Sequence, residues 1–513
     1  MVSFSQVYRS TRSSDNETKT FEEAVIQGLA SDGGLFIPPT IPQVSQDDLF
    51  NNWSRLSFQE LAFEIMRLYI DSKEIPDEDL KVLINRSYST FRSSDVTPLV
   101  KNTTGADENL HILELFHGPT YAFKDVALQF VGNLFEYFLE RINKDKPQSE
   151  KKKITVVGAT SGDTGSAAIY GLRGKKDVSV FILYPTGRIS PIQEEQMTTV
   201  PDKNVQTLSV TGTFDNCQDI VKAIFGDKEF NSRHNVGAVN SINWARILAQ
   251  ITYYFYSYFQ ATDGKEGKIK FVVPSGNFGD ILAGYFAKKM GLPVEKLVIA
   301  TNENDILDRF LKSGTYERSD SVSVTLSPAM DILISSNFER LLWFLARETL
   351  GSGDDLKAGE IVNSWFQQLK NEGKFQVGQA VIDAALKDFG SERVSNEETT
   401  ATIKQMYQES KNPKNYILDP HTAVGVCAAK RIIAQDNDKA INYITLSTAH
   451  PAKFADAVNE ALSSFEGYSF NNDVLPEELR KLSTLEKRLK FIEEADVELV
   501  KQAIDEELAK MDL

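Results

Sequence analysis

Phe271-Val272-Val273-Pro274-Ser275-Gly276-Asn277-Phe278-Gly279 and, earlier in the chain, Ile154-Thr155-Val156-Val157-Gly158-Ala159-Thr160-Ser161-Gly162-Asp163-Thr164-Gly165 are built to one plan. Each is an apolar, largely β-branched run, then Ser-Gly-(Asn/Asp)-x-Gly, then a small-residue helical pattern, Ile281-Leu282-Ala283-Gly284 and Ser166-Ala167-Ala168-Ile169. A strand feeding a glycine loop that opens a helix aims several backbone N–H groups and the positive end of the helix dipole at one point. Such a point attracts an anion. Neither loop has the lysine of a Walker A motif or the spacing of a dinucleotide fingerprint, so nucleotide-hydrolysing and nicotinamide readings lose their main support. Two anion cradles predict a ligand with two anionic ends, or a phosphorylated cofactor beside an anionic substrate. Similar runs recur at Val178–Leu183, Val205–Val210 and Leu297–Ala300, with helical patterns between them. That alternation predicts an α/β protein with parallel strands and helix crossovers.

Upstream lies Leu115-Phe116-His117-Gly118-Pro119-Thr120-Tyr121-Ala122-Phe123-Lys124-Asp125-Val126-Ala127-Leu128. After the Gly-Pro turn the pattern becomes helical, which places Lys124 near a helix start among Tyr121, Phe123 and Leu128. The dipole and the apolar neighbours both disfavour an ammonium group and lower a lysine pKa. A Schiff-base lysine needs that environment. Taken alone, Lys124 reads as one more solvated lysine. Beside two anion cradles it points to a phosphorylated aldehyde, pyridoxal 5'-phosphate.

The segment His117–Asp125 resembles the cofactor-lysine motif of threonine synthases, and Pro274–Asp280 looks like their phosphate loop. Tyr8-Arg9-Ser10-Thr11-Arg12, with Gly28-Leu29-Ala30-Ser31-Asp32-Gly33-Gly34-Leu35-Phe36, is similar to that family's N-terminal signature, in its fungal and enteric-bacterial branch. The resemblance runs nearly end to end. It implies the tryptophan-synthase-β-like fold, known as fold type II: two open, mostly parallel α/β subdomains with the cofactor in the cleft between them. It also implies conversion of O-phospho-L-homoserine and water into L-threonine and phosphate, the last step of threonine biosynthesis. On this resemblance Ser275, Gly276, Asn277, Phe278 and Gly279 hold the cofactor phosphate, and Thr448 faces the pyridine nitrogen. Asp280 joins that loop or only caps the helix behind it. Thr160, Ser161, Gly162, Asp163 and Thr164 bind the substrate carboxylate, unless Asp163 faces the cofactor's ring hydroxyl instead. The leaving phosphate requires cations, for which Arg188 and Arg246 are the candidates; a surface ion pair is the alternative for each. His117 touches substrate or merely packs. A threonine or serine dehydratase of the same fold shares the lysine and glycine loop but needs no pocket for a substrate phosphate. A non-catalytic pyridoxal-phosphate or amino-acid binding protein would not need Lys124.

The 513 residues are 41% hydrophobic and carry a formal charge of −16. That balance describes a soluble multidomain chain and argues against nucleic acid or an anionic membrane as partner. The expected partner is a small-molecule substrate, and the protein is expected to be a monomer or weak oligomer. Cys217 and Cys427 stand far apart and read as reduced cysteines of a cytoplasmic protein. The five histidines show no metal-ligand spacing, so no metal site is expected. Arg9 and Arg12 with nearby serines hint at a transit peptide, but Asp15 and Glu17 follow and no amphipathic helix forms.

Residues 1–95 read as a separate N-terminal unit. Its Thr20-Phe21-Glu22-Glu23 and Ser57-Phe58-Gln59-Glu60 are capping-box patterns. Residues 96–330 read as the α/β core and 331–415 as a helical insertion. Residues 416–465 return to the core, with strands expected at Tyr416–Thr422 and Asn442–Pro451, and 466–513 read as a helical tail. Ile247–Tyr256 is too short and mixed for a membrane span and reads as a core helix.

Overall fold

The computed structural model describes residues 6–101, 107–411 and 413–511. Two parallel sheets organise it. The larger runs Phe389–Arg393, Val294–Thr301, Lys268–Pro274, Ile441–Ser447, Leu110–Glu114 and Leu99–Val100, with only the last strand antiparallel. The smaller runs Lys490–Ile492, Val205–Val210, Val178–Pro185, Ile154–Ala159 and Val236–Gly237, all parallel. Central strands such as Phe271-Val272-Val273 are uninterrupted apolar runs because helices cover both faces of a parallel sheet. Both glycine loops leave the carboxyl ends of their strands, as the sequence predicts, and at that edge open α/β sheets bind ligands. The chain is thus two open α/β subdomains, each presenting one loop.

Helix packing fixes where the lysine helix meets the first loop. The Lys124–Asn143 helix crosses the Asp163–Leu172 helix at Gly132 and Gly171. A methyl group on Gly132 would stand 1.9 Å from the Gly171 carbonyl oxygen, and one on Gly171 would stand 2.4 Å from that of Leu128. Only glycine permits backbones so close, and the crossing sets the start of the lysine helix beside the Ser161–Gly165 loop.

Both N-terminal capping boxes form, at Thr20 and Ser57. The helices they open share their core with the rest of the molecule: Phe21 packs on Phe138 and Phe58 on Tyr256 at ring distances of 6.5 and 5.5 Å. Trp244–Thr262, which contains the Ile247–Tyr256 run, is a buried core helix.

Three expectations are corrected. Residues 331–415 are mainly helical, but Phe389–Arg393 is an edge strand of the large sheet, and Lys374–Gln376 pairs antiparallel with Thr315–Glu317. An edge strand is covered on one side only, so Gly390, Ser391, Glu392 and Arg393 carry no apolar signal. Tyr416–Asp419 is irregular: Asp419 caps the Pro420–Asp436 helix through the His421 and Thr422 amides, with Pro420 at its first position. The tail 466–513 has the expected helices Glu477–Leu482 and Val497–Leu508, but Lys490–Ile492 between them becomes an edge strand of the small sheet.

Candidate active site

Lys124 opens its helix from a tightly tied turn. Thr120 donates its amide and hydroxyl to Asp125, both at 2.7 Å, and Tyr121 adopts a left-handed φ of 60°. The Phe123 amide donates to Thr448 O at 2.8 Å and the His450 amide to Tyr121 O at 3.0 Å. The turn is therefore sewn to the end of the Ile441–Ser447 strand, which places Thr448 beside Lys124. The Lys124 side chain is half-buried and makes no ion pair among the described residues. Burial draws its pKa down to about 8; Asp163 opposes the fall, while Arg246 and Lys453 add to it. Lys124 therefore gives up its proton far more readily than an ordinary lysine, with the ammonium still the majority form at pH 7.

The second loop is held from behind. The Ser275 amide donates to Ala300 O at 2.9 Å, continuing the sheet, while the buried Ser275 Oγ has no partner. Ser335 Oγ donates to Gly276 O at 2.6 Å, the Asn337 amide to Asn277 O at 3.0 Å and Ser336 Oγ to Asn277 Oδ1 at 3.2 Å. A side chain on Gly276 would meet Met330 Cα at 3.0 Å and Ala329 O at 3.2 Å. Phe278 takes a φ of 65° at the N-cap of the Gly279–Lys289 helix, a conformation kept by its ring packing at 5.2 Å on Phe338 and 5.7 Å on Phe389. With its carbonyls tied back, the loop leaves a free hydroxyl and a helix N-terminus for an anion. Asp280 faces elsewhere. Its Oδ1 accepts from Tyr253 and Tyr254 at 2.5 and 2.9 Å, and burial pushes its pKa up to about 6.

In the first loop, Thr160 Oγ1 accepts from the Gly162 and Gly165 amides at 3.0 and 2.8 Å, Ser161 is exposed and Thr164 half-buried. Gly162 needs its φ of 147° to turn the chain into the helix. Asp163 Oδ1 accepts from Lys453 Nζ at 2.7 Å and Gln193 Nε2 at 2.9 Å. Burial alone would raise the Asp163 pKa, but Lys453 and Lys124 outweigh it and hold it at about 2, so Asp163 is a carboxylate.

The two arginines separate clearly. Arg246 is buried at 3% exposure, with Nε and Nη1 unpartnered, and lies close enough to depress Lys124. Burial draws its own pKa down to about 10, and it has no carboxylate partner among the described residues. Arg188 is exposed and makes no side-chain ion pair or hydrogen bond there. The surface ion pair considered for each is formed by neither. His117 Nε2 lies 2.7 Å from Glu114, whose other oxygen accepts from Tyr416 at 2.6 Å. No group of side chains arranged to hold a metal occurs among the described residues.

Sequence reasoning missed Lys453, Ser335, Ser336, Asn337 and Arg340. Arg340 is fully buried; it donates to Phe36 O at 2.9 Å and to Ile242 O at 2.6 Å, and also to Asn337 Oδ1. It thereby links the N-terminal signature to the segment behind the second loop. Arg12, paired with Glu339 at 2.7 Å, is part of the same tie. These residues stand in helical or irregular sequence with no motif; a buried arginine beside Ser-Ser-Asn carries no signal until the fold brings them together.

A lysine amine whose pKa burial draws down, a loop with a free hydroxyl at a helix N-terminus and a threonine whose backbone is tied to the residue before that lysine together match the donor set pyridoxal phosphate requires. A family model described as pyridoxal-phosphate dependent enzyme matches residues 94–375. With two open parallel subdomains and this site, the chain is a pyridoxal-phosphate-dependent enzyme of fold type II. Models described as threonine synthase N terminus and threonine synthase, C-terminal, match residues 7–88 and 422–504. The threonine synthase of Saccharomyces cerevisiae is 81% identical over all of both chains, and that of Eremothecium gossypii 69% identical over 99% of each. The crystal structure of threonine synthase from yeast matches with a TM-score of 0.97 at 82% identity, over 99% of each chain. A pyridoxal-phosphate-bound threonine synthase from Brucella melitensis matches at 0.86 and 39% identity, over 98% of this chain and 99% of that one. The chain belongs to the threonine synthase family.

Proposed function

We propose that the protein converts O-phospho-L-homoserine and water into L-threonine and phosphate at the cleft between the two sheets. The observation that carries this reading is the meeting of a half-buried amine, Lys124, with a buried guanidinium, Arg246, that has no counter-charge among the described residues and two unpartnered nitrogens, Nε and Nη1. A dehydratase needs the amine but not the cation.

When bound, pyridoxal phosphate supplies the electron sink that makes the substrate's Cα and then Cβ hydrogens acidic. Ser275, Gly276, Asn277, Phe278 and Gly279 would hold its phosphate through the Ser275 hydroxyl and the helix N-terminus, and Thr448 would face the ring nitrogen. The Asp280 carboxylate backs this loop through Tyr253 and Tyr254 without facing it. Lys124, free to hold or release a proton near neutral pH, takes protons from Cα and Cβ and returns them to Cγ and Cα. Thr160, Ser161, Gly162 and Thr164 offer the substrate carboxylate their amides and hydroxyls. Asp163, already a carboxylate, is better suited to a hydroxyl donor than to a second anion. Arg246 neutralises the charge that grows on the departing phosphate, and Arg188 meets it at the rim. Water must add at Cβ after phosphate has left, so the subdomain cleft orders the two events.

The partner in this reading is the small-molecule substrate alone, without nucleic acid or membrane, acting on a monomer or weak oligomer. Its place is the cytoplasm, in keeping with two free, unpaired cysteines. No helix among the described residues is long and apolar enough to cross a membrane. The test is release of inorganic phosphate from O-phospho-L-homoserine with threonine identified as product; release of ammonia instead would refute the reading.

A further inference from the structure

Lys453 is fully buried, in the short turn Pro451–Lys453 that follows the large-sheet strand Ile441–Ser447. An enclosed ammonium is unfavourable unless its protons are used and its charge is met. Lys453 donates to Asp163 Oδ1, on the loop of the small sheet, at 2.7 Å. It also donates to Thr120 O, in the turn before Lys124, at 2.8 Å. Both acceptors are gripped a second time from the Pro191–Thr198 helix: Gln193 Nε2 donates to Asp163 Oδ1 at 2.9 Å and Gln196 Nε2 to Thr120 O at 3.0 Å. Two acceptors from different parts of the cleft are thus each held twice, and the one charged donor common to both is Lys453.

We propose that Lys453 is a positioning residue for the reaction, bridging the two subdomains so that the Asp163 carboxylate and the Thr120 turn stay fixed relative to Lys124. The inference rests on the reading of Lys124 as the reacting amine. Lys453 has no exposed surface, so it acts through its two acceptors and through its charge on Lys124, not on substrate. The charged groups that bear on Lys124 are Asp163 from the loop, Arg246 from the Trp244–Thr262 helix, Lys453, and Asp125 from its own helix. Around Lys453 itself stand Asp163, Asp125, Lys124 and His450. Neutralising Lys453 removes a cation that repels the Lys124 proton and leaves Asp163 uncompensated beside it. Both changes make Lys124 hold its proton more tightly.

The test compares Lys453→Gln, which keeps donors without the charge, with Lys453→Met and with Lys453→Arg, which keeps the charge. In cofactor-free protein, the pH dependence of Lys124 modification by an amine reagent is followed by peptide mapping. In the holoenzyme, kcat and the acid limb of its pH profile are measured, because Lys124 is a free amine only once substrate is bound. We expect the modification profile and the acid limb of the neutral variants to move alkaline by about half a pH unit or more. Their kcat should fall about tenfold or more as Asp163 and the turn loosen, with the profile restored in Lys453→Arg. Should Lys453→Met fail to fold, Lys453→Gln carries the measurement. A folded Lys453→Gln protein that melts lower but titrates at wild-type pH would overturn the inference and leave the catalytic reading intact. Borohydride fixation of the cofactor on a lysine other than Lys124 in wild type would instead overturn the reading beneath it.

Discussion

Replacing Lys124 by methionine should abolish turnover and yet make the cofactor-free protein more stable at neutral pH. Lys124 loses hydration through burial and has no carboxylate within ion-pair distance among the described residues to compensate, so its pKa falls from 10.5 to about 8. Between those values the unfolded chain binds a proton that the folded chain has released, so stability rises with pH across the window. Below about pH 8 the folded state holds a disfavoured ammonium. At about 1.36 kcal/mol per pH unit, the penalty at pH 7 is about 3 kcal/mol, falling to about 1.4 kcal/mol at pH 9.5. Methionine keeps an unbranched side chain one atom shorter and without the charge, so Lys124→Met should exceed wild type by roughly that amount at pH 7. The gap should shrink by about 2 kcal/mol by pH 9.5. Urea denaturation of both cofactor-free proteins at the two pH values measures it; removing the cofactor avoids its own contribution to the wild type. Equal stabilities at pH 7, or a gap independent of pH, would show that the Lys124 ammonium is well solvated and that the cleft does not tune it.

The purified holoenzyme should be yellow, and borohydride should fix its cofactor on Lys124, as peptide mapping will show. Asn277→Asp places a negative charge beside the cofactor phosphate and should weaken cofactor binding by about 2–3 kcal/mol, seen as loss on dialysis; full retention would mean that the loop does not hold the phosphate. Arg246→Met should raise KM for O-phospho-L-homoserine, lower kcat and relieve inhibition by inorganic phosphate, while the cofactor absorbance stays unchanged. Unchanged kinetics and phosphate inhibition would remove Arg246 from the leaving-group pocket. Arg188→Ala should act in the same direction but more weakly, because an exposed guanidinium is screened by water and salt.

The elements whose signals are local were legible in the sequence. Apolar runs ending in Ser-Gly-(Asp/Asn)-x-Gly specify strand, loop and helix within a dozen or so neighbours, so the interior strands of both sheets appear near their expected positions. Capping boxes at Thr20 and Ser57 are equally local, being bonds between residues three apart. Edge strands such as Phe389–Arg393 and Lys490–Ile492 escaped because only pairing with a distant partner makes them strands, and one covered side imposes no apolar pattern. The Tyr416–Thr422 run misled because its apolar start precedes an Asp-Pro helix opening, which outranks β-propensity there.

The chemistry divides along the same line. The sequence by itself determined the family and the places of Lys124 and the two glycine loops, because each rests on contiguous residues whose backbone geometry follows from glycines and strand ends. Tertiary structure alone decided the electrostatics. Arg246 and Arg188 look alike as letters, yet one is buried without a counter-charge among the described residues and the other is exposed. Asp280 adjoins the Ser275–Gly279 loop but turns its Oδ1 to Tyr253 and Tyr254, while Lys453, far along the chain, binds Asp163 and the Lys124 turn. A charge acquires its effect from burial and from partners a few ångströms away, and those partners are brought together by sheet order and helix crossing, not by sequence spacing.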